Sequence, residues 1–209
     1  MVHTTQLPAK LRQEVASQIS ERLVPPAPGA SVPKAEQWVL NFGTDAKTSP
    51  MKLCLAESFP IWSLGLDAIQ AHRSGSETAL FTGYWHHQIK YGDTAIRYAR
   101  SRSDHAMAKM TVTELGGETT ANKIDQVITW IDSNVSSDAE ARLLLVPSFG
   151  IVAFWLSAPP DNDIVVADRP AYYAGDILLQ HMYDFDNFVG LLTQLPPSAG
   201  VPNRQQSRP

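Results

Sequence analysis

The stretch 80–102, LFTGYWHHQIKYGDTAIRYARSR, constrains the fold most, because hydrophobic pattern, turn chemistry and unusual polar residues coincide in it. Side chains of a strand alternate between faces, so two sets of period two separate. Phe81, Gly83, Trp85, His87 and Ile89 form one set; Thr82, Tyr84, His86, Gln88 and Lys90 form the other. Gly92-Asp93 places glycine at the first central position of a two-residue loop, the preference of a type II′ hairpin. Counting back from Tyr91 opposite Thr94 pairs Ile89 with Ile96, His87 with Tyr98 and Trp85 with Arg100 on an apolar side. Gln88 then faces Arg97 and His86 faces Ala99, on a side expected to meet water.

A chain of 209 residues, 44% of them hydrophobic, can bury roughly 70% of its unfolded surface without staples. Its formal charge of −4 argues against a dedicated nucleic-acid binder. Cys54 stands alone, which excludes an intramolecular disulfide and a cysteine-based zinc cluster. There is no apolar leader and no run of membrane-spanning length, so the expected setting is cytoplasmic with no membrane partner.

Residues 1–24 read as an amphipathic helix, with Leu7, Leu11, Val15, Ile19 and Leu23 at fourfold spacing and Pro8 in the first turn. Residues 25–34 are a Pro-rich linker, which leaves that helix free to pack remotely or against a second copy as a homo-oligomer. A single α+β domain is expected over 35–195 and a disordered tail over 196–209. Strands are expected at 37–42, 51–57 and 107–115, and a short helix at 60–73 started by Ser58. Thr120 opens a helix with Ile124, Val127, Ile128 and Ile131 on one stripe. The apolar runs 142–146 and 151–156 suit central strands buried on both faces, followed by a short strand at 164–167. Asp176 is read as the cap of a last helix with Leu178, Met182, Phe185, Val189 and Leu192 as its core stripe. The fold class is α+β: a mostly antiparallel sheet with about four helices packed on it, the N-terminal helix hanging on a Pro-rich connector.

Neighbouring residues of a strand point to opposite faces, so His86 and His87 cannot share one metal ion. On the expected last helix, His181 and Asp184 lie three apart. With His87 or His86 they would make a two-His, one-carboxylate set suited to zinc or iron in a small hydrolase; a plain pair at the core edge is the competing reading. No G-x-S-x-G, Walker or G-x-G-x-x-G pattern occurs, and Cys54 in an apolar run reads as packing. Asp161-Asn162-Asp163 and Asp184-Phe185-Asp186 lack the spacing of a calcium loop.

Lys90, Arg97, Arg100, Arg102 and Lys109 make a basic cluster interleaved with Tyr84, His86 and Tyr98. Single-stranded nucleic acid would suit such a surface, but Tyr84 and Tyr98 fall on opposite faces in the register above. Arg100 and Arg102 share a face and could hold a peptide carboxylate, with Arg97 pointing away. A loop at 168–175 adds Tyr172 and Tyr173. The leading expectation is a non-catalytic accessory protein that recognises a peptide or partner protein through a sheet edge and an aromatic and arginine surface. Its site would comprise Tyr84, Trp85, His86, Arg97, Tyr98, Arg100, Tyr172 and Tyr173, with no cofactor.

Overall fold

Apolar residues on both sides of the middle strands require cover on both faces of a sheet, and the computed structural model supplies it with four helices among the described residues. It describes residues 3–4, 6–22, 53–71, 76–104, 106–136, 138–158 and 161–198. In chain order the elements are β1 (His3–Thr4), α1 (Ala9–Arg22), β2 (Leu53–Leu64), α2 (Leu66–Gln70), β3 (Ala79–Tyr91), β4 (Thr94–Ser103) and β5 (Met110–Gly116). Then follow α3 (Glu118–Asn134), β6 (Glu140–Val146), β7 (Ile151–Ala158), β8 (Asp161–Asp168), β9 (Met182–Asp184) and α4 (Phe185–Gln194). The linker at 25–34, the strand expected at 37–42 and the tail beyond 198 lie outside the described residues.

The strands form one sheet in the order β5-β4-β3-β2-β6-β7-β8-β9, with β1 on β6. Two antiparallel meanders meet at a parallel seam, where Ile61 of β2 lies opposite Leu143 of β6. Parallel neighbours need a long crossover, and here it runs through β3 to β5 and α3. The protein is therefore α+β with a mostly antiparallel sheet.

Helix α3 covers one face, burying Ile124, Val127 and Ile131 against Phe59, Leu143, Phe154 and Leu156. On the other face α4 packs Phe188, Val189 and Leu192 against Leu144, Val146, Ala153 and Trp155. There α1 buries Leu11, Val15, Ala16 and Ile19 against Leu55, Trp85, Ile89, Ala99 and Val112. Each large apolar side chain so buried contributes about 1.5–3 kcal/mol. The apolar stripe of α1 is thus buried on the sheet of its own chain.

Three further expectations change. Residues 60–64 continue β2, and only 66–70 are helical, because alternation sends Ile61 into the α3 core and Leu64 into the α4 core. The last helix starts at Phe185, capped by Asp184, whose carboxylate accepts from the backbone N–H groups of Asp186 and Asn187. Leu178 and Met182 are exposed and no part of a helical stripe. Finally, the chain at 196–198 is tied down: the Tyr173 hydroxyl donates to the Pro196 carbonyl, and Ser198 donates from its backbone N–H and hydroxyl to Ser148 O at 2.8 Å.

Candidate functional site

The hairpin turns where expected, with Tyr91 opposite Thr94 and Gly92 at φ 59°. One residue later a bulge intervenes: Lys90 pairs with Ala95, but Ile89 pairs with Arg97. The extra residue, Ile96, shifts the rest of β4 by one, which moves every following side chain to the other face. His86 therefore faces Arg100, Gln88 faces Tyr98, His87 faces Ala99 and Trp85 faces Ser101. Tyr84 and Tyr98 share a face after all.

That face is dry. Helix α3 covers it, and the Gln88 side chain donates to the Ala121 carbonyl at 3.0 Å. Lys90 forms ion pairs with Asp125 at 2.7 Å and Glu57 at 3.1 Å. His86 is fully buried and stacked on Tyr98 with ring centroids 4.9 Å apart. Neither of its nitrogens finds a partner among the described residues. Burial, with His87 and Arg100 adding, pushes its pKa down to about 3. The Tyr98 hydroxyl donates to Glu114 at 2.7 Å, and Arg100 pairs with Glu114 at 3.2 Å. Of the expected surface, Trp85, His86, Tyr98 and Tyr173 are buried, and Arg100 is committed. Tyr84 is half-buried, while Arg97 and Tyr172 are exposed on separate parts of the molecule. These residues do not form one recognition surface, nor a platform on which bases could stack.

On the opposite face each ring nitrogen of His87 is hydrogen-bonded to a serine hydroxyl, Nδ1 with Ser58 at 2.9 Å and Nε2 with Ser101 at 2.7 Å. A neutral imidazole donates from one nitrogen and accepts at the other, so the pair of serines satisfies it. Burial, then the Arg12 guanidinium, lowers its pKa to about 3. All three residues lie under α1, so this serine–histidine geometry offers a substrate no approach. The metal set fails on distance. His181 immediately precedes β9, and four strands separate β9 from β3. At ~4.8 Å per strand that is roughly 24 Å. Among the described residues no three His, Cys, Asp or Glu side chains are grouped to hold a metal ion. Cys54 is half-buried, and burial, with Glu57, raises its pKa, which leaves it a packing thiol.

The edge of the sheet is not freely open either. On β5 the Gln18 amide donates to the Met110 carbonyl and accepts from the Val112 N–H, both at 2.8 Å. This reproduces the two hydrogen bonds of one residue in a parallel strand and blocks strand addition there.

An opening in the surface lies at Gly83. Pro60 pairs with Trp85 and Trp62 with Phe81, so β3 uses residues 82–84 where β2 uses only Ile61. Gly83 has φ 76°, a backbone region that favours glycine. Hydroxyls replace the missing ladder bonds: Thr82 donates to Ile61 O at 2.7 Å, and Ser103 donates to Gly83 O at 3.0 Å. The bulge separates two cavities. One, about 250 Å³, is lined by Pro60, Trp62, Phe81, Trp85, Met107, Glu140 and Arg142. Its wall is stiff, because Trp62 and Trp155 pack edge to face and Arg142 lies over both rings, 4.8 and 4.5 Å from their centroids, and binds Glu140 through Nε at 2.9 Å. The other, about 700 Å³, includes Phe81, Thr82, Arg102, Asp104, Met107, Lys109 and Thr111. Phe81 and Met107 line both, so an aromatic lobe and a hydroxyl- and cation-lined lobe adjoin at these two side chains; together they are the groove at Gly83. Sequence reasoning passed over Trp62, Phe81 and Arg142 as parts of a site. The available signal was Gly83, since an isolated glycine inside a strand pattern marks a bulge.

Comparison of the chain with protein-family models, curated proteins and solved structures finds no match. No helix among the described residues is long and apolar enough to cross a membrane.

Proposed function

We propose that this protein is a non-catalytic binding module that takes an extended peptide segment of a partner protein into the groove at Gly83. The observation that carries this reading is the junction at Phe81, a large apolar side chain left 41% exposed where the two lobes meet. Aromatic anchors flanked by polar groups are where interfaces concentrate their affinity. The neighbouring Leu80 is 70% exposed and extends the apolar rim. Bulges recur beside sites, and Phe81 flanks this one, opposite Trp62.

Selection of peptides from a displayed random library on the full chain tests the reading. Peptides so obtained should lose at least about tenfold in affinity on Phe81→Ala, on the order of the 1.4 kcal/mol expected of an anchor. Tyr172→Ala, exposed in the loop before β9, should leave their affinity unchanged. Binding indifferent to Phe81 would refute the groove.

A further inference from the structure

We infer that the polar lobe of the groove is a carboxylate site, so that the bound segment carries an Asp or Glu side chain next to its apolar anchor. This rests on the groove being the binding surface. The inventory of donors leads to it. Of the hydroxyls lining the lobe, Thr82 and Ser103 are spent on the bulge, and Thr113 donates to the Arg100 carbonyl at 3.3 Å. Asp104 uses its Oδ1 to accept from the Ala108 N–H at 2.7 Å, closing the turn before β5. Arg102, Lys109 and Thr111 remain, with no hydrogen bond or ion pair from their side chains among the described residues.

Those three are placed to act together. Arg102 and Thr111 are partners across β4 and β5, so their side chains leave the sheet side by side on one face. The Arg102 guanidinium lies over the Tyr84 ring, 5.9 Å from its centroid, which restrains the long side chain. A guanidinium fork with a hydroxyl beside it matches the two oxygens of a carboxylate. Lys109 completes a net positive lining, two cations against one acid. A dianionic phosphate would meet Asp104 with a second charge, so the monoanion is the better match. A chain-terminal carboxylate is captured by converging backbone N–H groups, whereas these donors are side-chain tips, which suit a side-chain carboxylate reaching in from a passing segment.

The test is an amide NMR titration of the full chain with two probes, N-acetyl-Trp-Glu-amide and N-acetyl-Trp-Gln-amide. Both should shift the Phe81 resonance, and the glutamate probe alone should shift Thr111 and Lys109. The glutamate probe should also bind about fivefold more tightly, as an exposed charge pair allows. That advantage should vanish in Arg102→Gln, an exposed position whose replacement leaves the dispersed spectrum intact. Equal binding of both probes overturns the carboxylate site and leaves the groove standing. An advantage that persists in Arg102→Gln overturns it too. Phe81 unmoved by either probe overturns groove and site together. Phe81 shifts that follow protein concentration instead would assign the groove to a second copy, with the same consequence.

Discussion

Lowering the pH from 7 to 5 protonates any imidazole free in water, yet His86 and His87 are fully buried and held neutral, with pKa values pushed down to about 3 from the usual 6.5. Burial is the main cause for both. The unfolded chain binds protons at these two residues below pH 6.5, while the native chain does not until about pH 3. Their contribution is therefore present above pH 6.5 and lost as the pH falls through that window. At pH 5 the unfolded state lies about 1.5 pH units below its pKa, and at about 1.36 kcal/mol per unit each histidine removes about 2 kcal/mol. Together they remove about 4 kcal/mol, a large share of the roughly 5–15 kcal/mol of a typical domain. Urea unfolding followed by tryptophan fluorescence at pH 7, 6 and 5 measures this directly. The control is His86→Phe, which keeps a ring stacked on Tyr98 and removes two nitrogens that have no partner among the described residues. It should leave stability at pH 7 equal or higher and halve the loss at pH 5. An unfolding midpoint that does not move between pH 7 and 5 would refute the reasoning, as would a variant as acid-sensitive as the parent.

Gly116→Ala would place a Cβ 1.9 Å from the Tyr98 ring, which is pinned by His86 and Glu114. The expected loss is about 1–3 kcal/mol in thermal unfolding, and an unchanged Tm would show the ring free to retreat. Gln18→Ala leaves the Met110 carbonyl and Val112 N–H of β5 without their cap, at a cost of about 1–3 kcal/mol. The variant should also self-associate in sedimentation velocity; a monomer of parental stability would show that the cap protects nothing. Asp184→Ala removes the cap of α4 and should cost about 1 kcal/mol, read from chemical denaturation. Metal content measured on the same variant should match that of the parent, since His181 and Asp184 lie far from β3.

The hairpin turn was legible because Gly92 sits where the two-residue loop needs it. The pairing beyond it was not, since nothing local announces that Ile96 will bulge. That single residue reverses the partners of His86, His87 and Gln88. The stripe of α3 could be read from Ile124, Val127 and Ile131, but not where it would lie. Its position over β3 and β4 turns an expected wet face into a dry one and removes His86 and Tyr98 from any surface. The stripe from Leu178 to Leu192 misled because helical spacing also arises by chance across a loop and a short strand; only Phe185 onward is helical.

Composition and alternation by themselves determined an α+β chain, a central hairpin, the apolar runs 142–146 and 151–156 as strands, and an amphipathic first helix. These are local properties, since propensity and period act within a few residues. Which face each helix covers, where the ladders slip, and hence which polar residues reach water were decided by tertiary packing. Register depends on partners distant in sequence, and a slip of one residue inverts every face after it. The groove at Gly83 is a product of that second kind. Its glycine is visible in the chain, but Phe81 comes to border two cavities, one with Arg102 and one with Arg142, only when β2, β4 and β6 are in place.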